Sequence, residues 1–387
     1  MTLKQCVGNW LFVLLAFIFV ADPTNTILGL KSIVFVILFA YNALLYKADV
    51  HKFKYFILPL VAMMLSFLFA VIRGEVYDTS VIVGECTAFA PLMLLPWIGN
   101  YDVLRLSRAP VIFMVALVVL LFWIIYFVPS FEHDLYAFTS SNDHTIMLSR
   151  RVFMGIPVSA MYCKATVAFL PIYAIVIYEL LSMEKNIVVN TLLVALFLHY
   201  FMISGTRSSM LFPLLLLFIL IFLFKRNNRY LRYVIYTLVI MAAILLVVVF
   251  IMLISEKGEH SNMVKYAHLM SYAEHFGKNP LYLLTGQGPG TAFYTKGFYA
   301  MSMNTEWSYL ELLRRYGMFS LLILYVFIKP LKDLLCMPAN EKGIVVLLAY
   351  AVYLIIAGTN PLLLSSTGML VLLMVYSFIE NLKRENC

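Results

Sequence analysis

The chain has 387 residues, of which 63% are hydrophobic and only 12% charged, and its formal net charge is +8. A soluble domain is about half apolar and about a quarter charged, so this composition points away from a soluble enzyme and toward an all-α polytopic transmembrane helical bundle. Surplus Lys and Arg would suggest nucleic acid in a soluble protein; here they fall between apolar runs and read as orientation signals, with no nucleic-acid partner.

The first apolar run, Trp10 to Val20, has Lys4 before it and Pro23 after it. No small-x-small cleavage site follows, so it reads as a retained helix. At about 20 mostly apolar residues per span, about twelve spans are predicted. They lie at roughly 7–22, 27–46, 55–72, 80–99, 109–129, 156–182, 187–204, 209–224, 233–254, 308–328, 343–357 and 361–380. No separate soluble domain fits between them, so 1–387 reads as a single integral membrane domain.

Basic residues collect in loops that alternate with these spans: Lys47, Lys52 and Lys54; Arg105 and Arg108; Lys225, Arg226, Arg229 and Arg232; Lys329, Lys332 and Lys342; Lys383 and Arg384. All fall on one side, which the positive-inside rule makes cytoplasmic, together with both termini. The opposite, outer side holds the two longest loops, 130–154 and 255–307. Loops of that length are usually functional or disordered. The second has helical periodicity over Ser261 to Phe276, with Met263, Tyr266, Ala267, Met270, Ala273 and Phe276 on one stripe. An amphipathic helix packed on the membrane or on the spans is expected. The turn "TGQGPG", Thr285 to Gly290, follows; without a preceding strand or a P-loop lysine it reads as a structural turn.

The five cysteines (Cys6, Cys86, Cys163, Cys336 and Cys387) show no disulfide or metal spacing. No nucleotide-binding or zinc-protease motif occurs, so neither a cofactor nor a metal is expected. No internal repeat of the kind common in transporters is visible.

Charges inside spans are expensive and usually functional. Most of those here gather at the outer face: Lys31, Glu85, His199, Arg207, Arg150 and Arg151, and the set Glu306, Glu311, Arg314 and Arg315; Lys164 lies deeper in its span, and Glu179 and Lys185 read as inner boundary residues. Lys31 reads as a snorkelling lysine or a functional one. His199 reads as a helix-packing histidine. Arg150 and Arg151 suit lipid headgroups or a substrate phosphate. Arg207, in the short link "SGTRSS", could converge on a phosphate with neighbouring N–H groups.

On a helix beginning near Thr305, Ser308 and Glu311 make a capping box. Glu306, Leu310, Leu313 and Gly317 then share one face. Glu311 and Arg315 lie four apart on another and can pair, leaving Glu306 alone.

These segments resemble a known family. "TEWSYLELLRRYGMFS" (305–320), preceded by "NPLYLLTGQGPGTAFY" (279–294), is similar to the Wzy-type O-antigen polymerases and to the related O-antigen ligases. "SGTRSSML" (204–211), "SRRVFMGIPVSA" (149–160) and "AGTNPLLLSSTGML" (357–370) resemble further segments of the same family in the same order. The ligases carry a histidine where this chain has Glu306, which favours the polymerases.

The resemblance implies one large periplasmic loop near the C-terminus, here 255–307, and a location in the bacterial inner membrane. It implies undecaprenyl-pyrophosphate-linked oligosaccharides as donor and acceptor, a chain-length regulator as protein partner, and membrane lipid around the spans. On that basis Glu306 is the candidate general base. Arg207 and Arg151, or Arg150, are candidates for the pyrophosphate, with Arg314 as a further phosphate ligand. The alternatives are an O-antigen ligase and a lipid-linked oligosaccharide flippase or exporter.

Overall fold

The computed structural model describes residues 3–142, 145–153, 156–182, 186–224, 256–337 and 340–385, with Tyr233, Thr237, Ile240 and Ile244. The expected span at 233–254, but for those last four residues, and the basic group Lys225 to Arg232 lie outside the described residues.

The chain is mostly helical. In order come α1 (Leu3–Ala21), α2 (Lys31–Leu45), α3 (Lys54–Ile72), α4 (Thr79–Phe89), α5 (Val103–Leu106), α6 (Arg108–Phe127) and α7 (Ser130–Ser141). A hairpin of β1 (Ile146–Phe153) and β2 (Ile156–Cys163) leads to α8 (Thr166–Ser182), α9 (Ile187–Ile203) and α10 (Arg207–Leu223). Then come α11 (Glu256–Lys278), α12 (Tyr282–Thr285) and the hairpin β3 (Phe293–Thr295) and β4 (Ala300–Ser302). Last are α13 (Ser308–Tyr316), α14 (Ser320–Cys336), α15 (Glu341–Gly358) and α16 (Ser366–Glu385). Short 3-10 stretches occupy Val50–Phe53 and Ala90–Asn100.

Among the described residues five helical stretches are long and apolar enough to cross a membrane: Leu3–Ala21, Val50–Ile72, Thr79–Asn100, Val103–Phe127 and Glu341–Gly358. Shorter apolar helices occupy Lys31–Leu45, Thr166–Ser182, Ile187–Ile203 and Arg207–Leu223. Their ends are set by local chemistry. Asp78 caps α4 by accepting from Ser80 N at 2.8 Å, and Asn186 caps α9 through Val188 N at 3.0 Å.

Two expected spans are built differently. The first eight residues of the segment 156–182 form β2, paired antiparallel with β1 so that Arg150 faces Ser159 and Arg151 faces Val158 in register. A short apolar run such as IPVSAMYC scores alike as strand or helix, and hydropathy cannot separate the two. The segment 308–328 is likewise two helices, α13 and α14, divided at Gly317.

The chain folds into two compact units. The first contains residues 1–45, 101–253 and 334–356. Its core is aromatic: Tyr173 packs on Phe197 and Phe201, and Phe169 on Tyr200. The carboxylate of Glu179 accepts from Arg108 Nη1 at 2.7 Å. The second contains residues 46–100, 254–333 and 357–387. There α3 and α4 support the segment 282–317, and α16 packs along the 3-10 stretch Ala90–Asn100.

Candidate functional site

In the second unit the most elaborate polar structure surrounds α13. Its last turn carries Arg314 and Arg315, and Glu311 lies one turn earlier. All three are buried, Arg314 completely. Glu311 Oε2 accepts from Arg314 Nη2 at 2.9 Å and from Arg315 Nε at 3.2 Å. Arg315 and the Tyr316 hydroxyl both donate to Glu85, which α4 supplies. Two carboxylates therefore face two guanidinium groups, and the buried set carries no net charge, the condition under which burial of ions is tolerated.

Arg314 is fully engaged by protein. Its Nη1 donates to Gln287 Oε1 at 2.7 Å and to Thr291 O at 3.0 Å, its Nη2 to Met303 O at 3.1 Å. Its guanidinium carbon lies 4.7 Å from the centroid of the Phe293 ring. Read from the sequence as a candidate phosphate ligand, Arg314 points inward and ties the turn, the β3–β4 hairpin and α13 together.

The turn "TGQGPG" is held by backbone contacts. Gln287 N donates to Arg314 O at 2.6 Å and Gly288 N to Arg315 O at 3.0 Å, satisfying carbonyls at the end of α13. Arg73, just past α3, donates to Thr285 Oγ1 and to the carbonyls of Gly286 and Gln287. A Cβ on Gly317 would come within 2.4 Å of Gly286 N. The structural reading of this turn therefore has a specific cause, backbone packed on backbone.

Glu306 stands apart. It precedes α13, with its side chain 40% exposed, and its Oε2 lies 3.2 Å from Lys265 Nζ on α11. The expected capping box does not form: Ser308 Oγ donates to Asn360 O at 2.6 Å, and the residue before the helix makes no side-chain cap. Glu306 consequently shares no helical face with Gly317.

The apolar stripe of α11, expected to pack on the membrane or on the spans, is left mostly uncovered by protein. Met263, Tyr266 and Met270 are exposed, whereas His268, Ser271 and Tyr272 are buried. The Tyr272 hydroxyl lies 2.6 Å from both Glu311 Oε1 and Thr305 Oγ1. Burial first, and then the Glu311 charge, hold its ionisation far above the ordinary tyrosine range. The His268 ring meets Phe298 edge-on at 4.5 Å and is backed by Gly297. Burial lowers its pKa. His275, stacked on Tyr282 at 5.0 Å, is pushed down to about 4 by burial and by the Arg314 charge. Lys265, His268, Tyr272 and His275 were missed as candidates. Their spacing of three, four and three marks one polar helix face, which the apolar stripe obscures.

The remaining candidates belong to the first unit. Arg207 opens α10 directly after the link Ser204–Thr206, in which Gly205 has φ +63°. Arg150 and Arg151 lie in β1. His199 accepts from Trp123 Nε1 at 3.1 Å and stacks on that indole, a packing role. Lys31 Nζ donates to Pro23 O at 2.6 Å. Among the described residues no group of three or more His, Cys, Asp or Glu is placed to hold a metal.

No protein-family model, curated protein or solved structure matches this chain.

Proposed function

We propose that the chain is a surface-polysaccharide polymerase of the Wzy type, a metal-independent glycosyltransferase that joins undecaprenyl-pyrophosphate-linked repeat units. In this reading it spans the bacterial inner membrane about twelve times. Both termini are cytoplasmic, and 255–307 is the periplasmic loop that meets the substrates. The observation that carries the reading is the placement of Glu306. It is a solvent-facing carboxylate, oriented by Lys265 and mounted beside a rigid buried network. The glutamate, in place of the histidine of the ligases, favours polymerisation over ligation.

The proposed step balances simply. Glu306 takes the proton from the acceptor hydroxyl, whose oxygen bonds to the anomeric carbon of the growing chain. The bond from that carbon to the pyrophosphate oxygen breaks, and its electron pair leaves with the diphosphate. The resemblance assigns that charge to Arg207 and Arg151, or Arg150. Arg314 positions the turn and α13 around Glu306. Activated donors make a nucleotide unnecessary.

Loss of a general base typically costs roughly 10²–10⁴ in rate. Glu306→Gln is therefore expected to abolish long polysaccharide and leave single repeats on lipid A-core, at unchanged protein level. Long chains persisting in that variant would remove Glu306 from the mechanism. Complete loss of capped lipid A-core would instead identify a ligase.

A further inference from the structure

The second unit has another polar concavity, remote from Glu306. A cavity of about 550 Å³ opens where residues 47–52, the end of the 3-10 stretch Ala90–Asn100 and the end of α16 converge. It lies at the start of α3, whereas the "TGQGPG" turn is held just past that helix's other end. With 19 residues in α3, the two are about 28 Å apart at 1.5 Å per residue. That is about one hydrocarbon thickness, and Val50–Ile72 is long and apolar enough to cross a membrane, so a crossing along α3 puts the cavity at one membrane surface and the turn at the other.

Its walls carry Lys47, Lys52 and Arg384 against Asp49 and Glu380, with His51 at the side. Both carboxylates are occupied. Glu380 pairs with Lys52 at 2.8 Å and with Lys383 at 3.0 Å, and Asp49 accepts from His51 N and lies 3.5 Å from Lys52. Lys52 is thereby committed, and the other two cations are less so. Lys47 makes no hydrogen bond or ion pair among the described residues, and it is exposed. Arg384 donates to Gly99 O, and its guanidinium lies against Gly99, where a Cβ would meet Nη2 at 2.8 Å. This contact fixes the arginine and leaves most of its five donors available. Trp97, its indole Nε1 donating to Tyr46 O at 3.1 Å, forms a rigid wall.

We propose that this cavity binds a phosphate ester. Its volume is in the range of small-molecule sites and far exceeds one phosphate. An oriented guanidinium fork and a mobile ammonium suit phosphate oxygens. The level in the membrane is that of lipid headgroups, and basic pockets between spans there select anionic ones. An anionic phospholipid headgroup and a soluble phosphate share this chemistry. The inference is independent of the polymerase reading, since neither Lys47 nor Arg384 belongs to that machinery.

The test uses the full chain, delipidated in detergent, with phosphatidylglycerol or phosphatidylcholine binding followed by native mass spectrometry. Phosphatidylglycerol is expected to bind at least about tenfold more tightly than phosphatidylcholine, and Lys47→Gln/Arg384→Gln to lose that preference. Lys47→Gln alone, which removes no contact among the described residues, is expected to lose part of it. In a second arm, stabilisation of the wild-type chain against heating by inorganic phosphate, lost in the double variant, would assign the cavity to soluble phosphates. Equal binding of the two lipids with no effect of phosphate overturns the proposal. So does binding of phosphatidylglycerol or phosphate that is unchanged in Lys47→Gln and in the double variant.

Discussion

Glu85 illustrates what a single residue contributes. Its carboxylate, 8% exposed, is shared by Arg315 and the Tyr316 hydroxyl. If it is neutralised, two guanidinium groups are left to one carboxylate, Glu311, inside the protein. Removing one partner of a buried pair typically costs about 3–5 kcal/mol. Glu85→Gln is therefore expected to lower stability by about 3 kcal/mol, read as a drop in thermal midpoint in detergent. Glu85→Gln/Arg315→Gln should be less destabilised than the sum of the two single variants. Strict additivity would show that the pair is uncoupled. The Glu311–Arg315 contact was legible from a spacing of four, because one helix turn brings such residues together. The Glu85–Arg315 contact was not, since 230 positions separate the partners.

At the scale of elements, the break at Gly317 is the main departure from the predicted pattern. A window of about 20 residues averages the charged turn pattern of Ser308–Tyr316 with the apolar run that follows it, so the segment 308–328 reads as one helix. The chain turns at Gly317 with φ +54° because the backbone of the "TGQGPG" turn occupies the space a side chain would need. Left-handed backbone costs a residue with a Cβ about 1–2 kcal/mol before any clash is counted. Gly317→Ala is expected to destabilise by about 2 kcal/mol or more. Gly277→Ala, whose added methyl meets nothing within 4 Å, should melt at or slightly above the parent. A Gly317→Ala protein that melts with the parent would refute the packing argument. The same limit of local averages explains β2 and the buried polar face of α11. Periodicity shows that a helix has two faces; neighbours decide which one is covered.

For the whole molecule, the arrangement across the membrane gives a direct test. Tyr299, 83% exposed between β3 and β4, belongs to the loop read as periplasmic, and Lys47 to a loop read as cytoplasmic. A membrane-impermeant maleimide is expected to label Tyr299→Cys in intact cells with a permeabilised outer membrane. Lys47→Cys should react only after lysis, with the parent chain as background. Labelling of Lys47→Cys in intact cells would invert the topology.

The sequence alone determined the membrane class and the limits of most helices, because transfer into lipid is summed residue by residue along a short window. Its shortest expected span, 343–357, forms α15 and is among the five stretches able to cross. The tertiary structure decided which charges are sealed into a neutral network and which carboxylate faces solvent. Lys265 beside Glu306, Glu85 beside Arg315 and Gly286 against Gly317 are meetings between distant segments. Such meetings are set by how helices and turns pack, which no local pattern encodes.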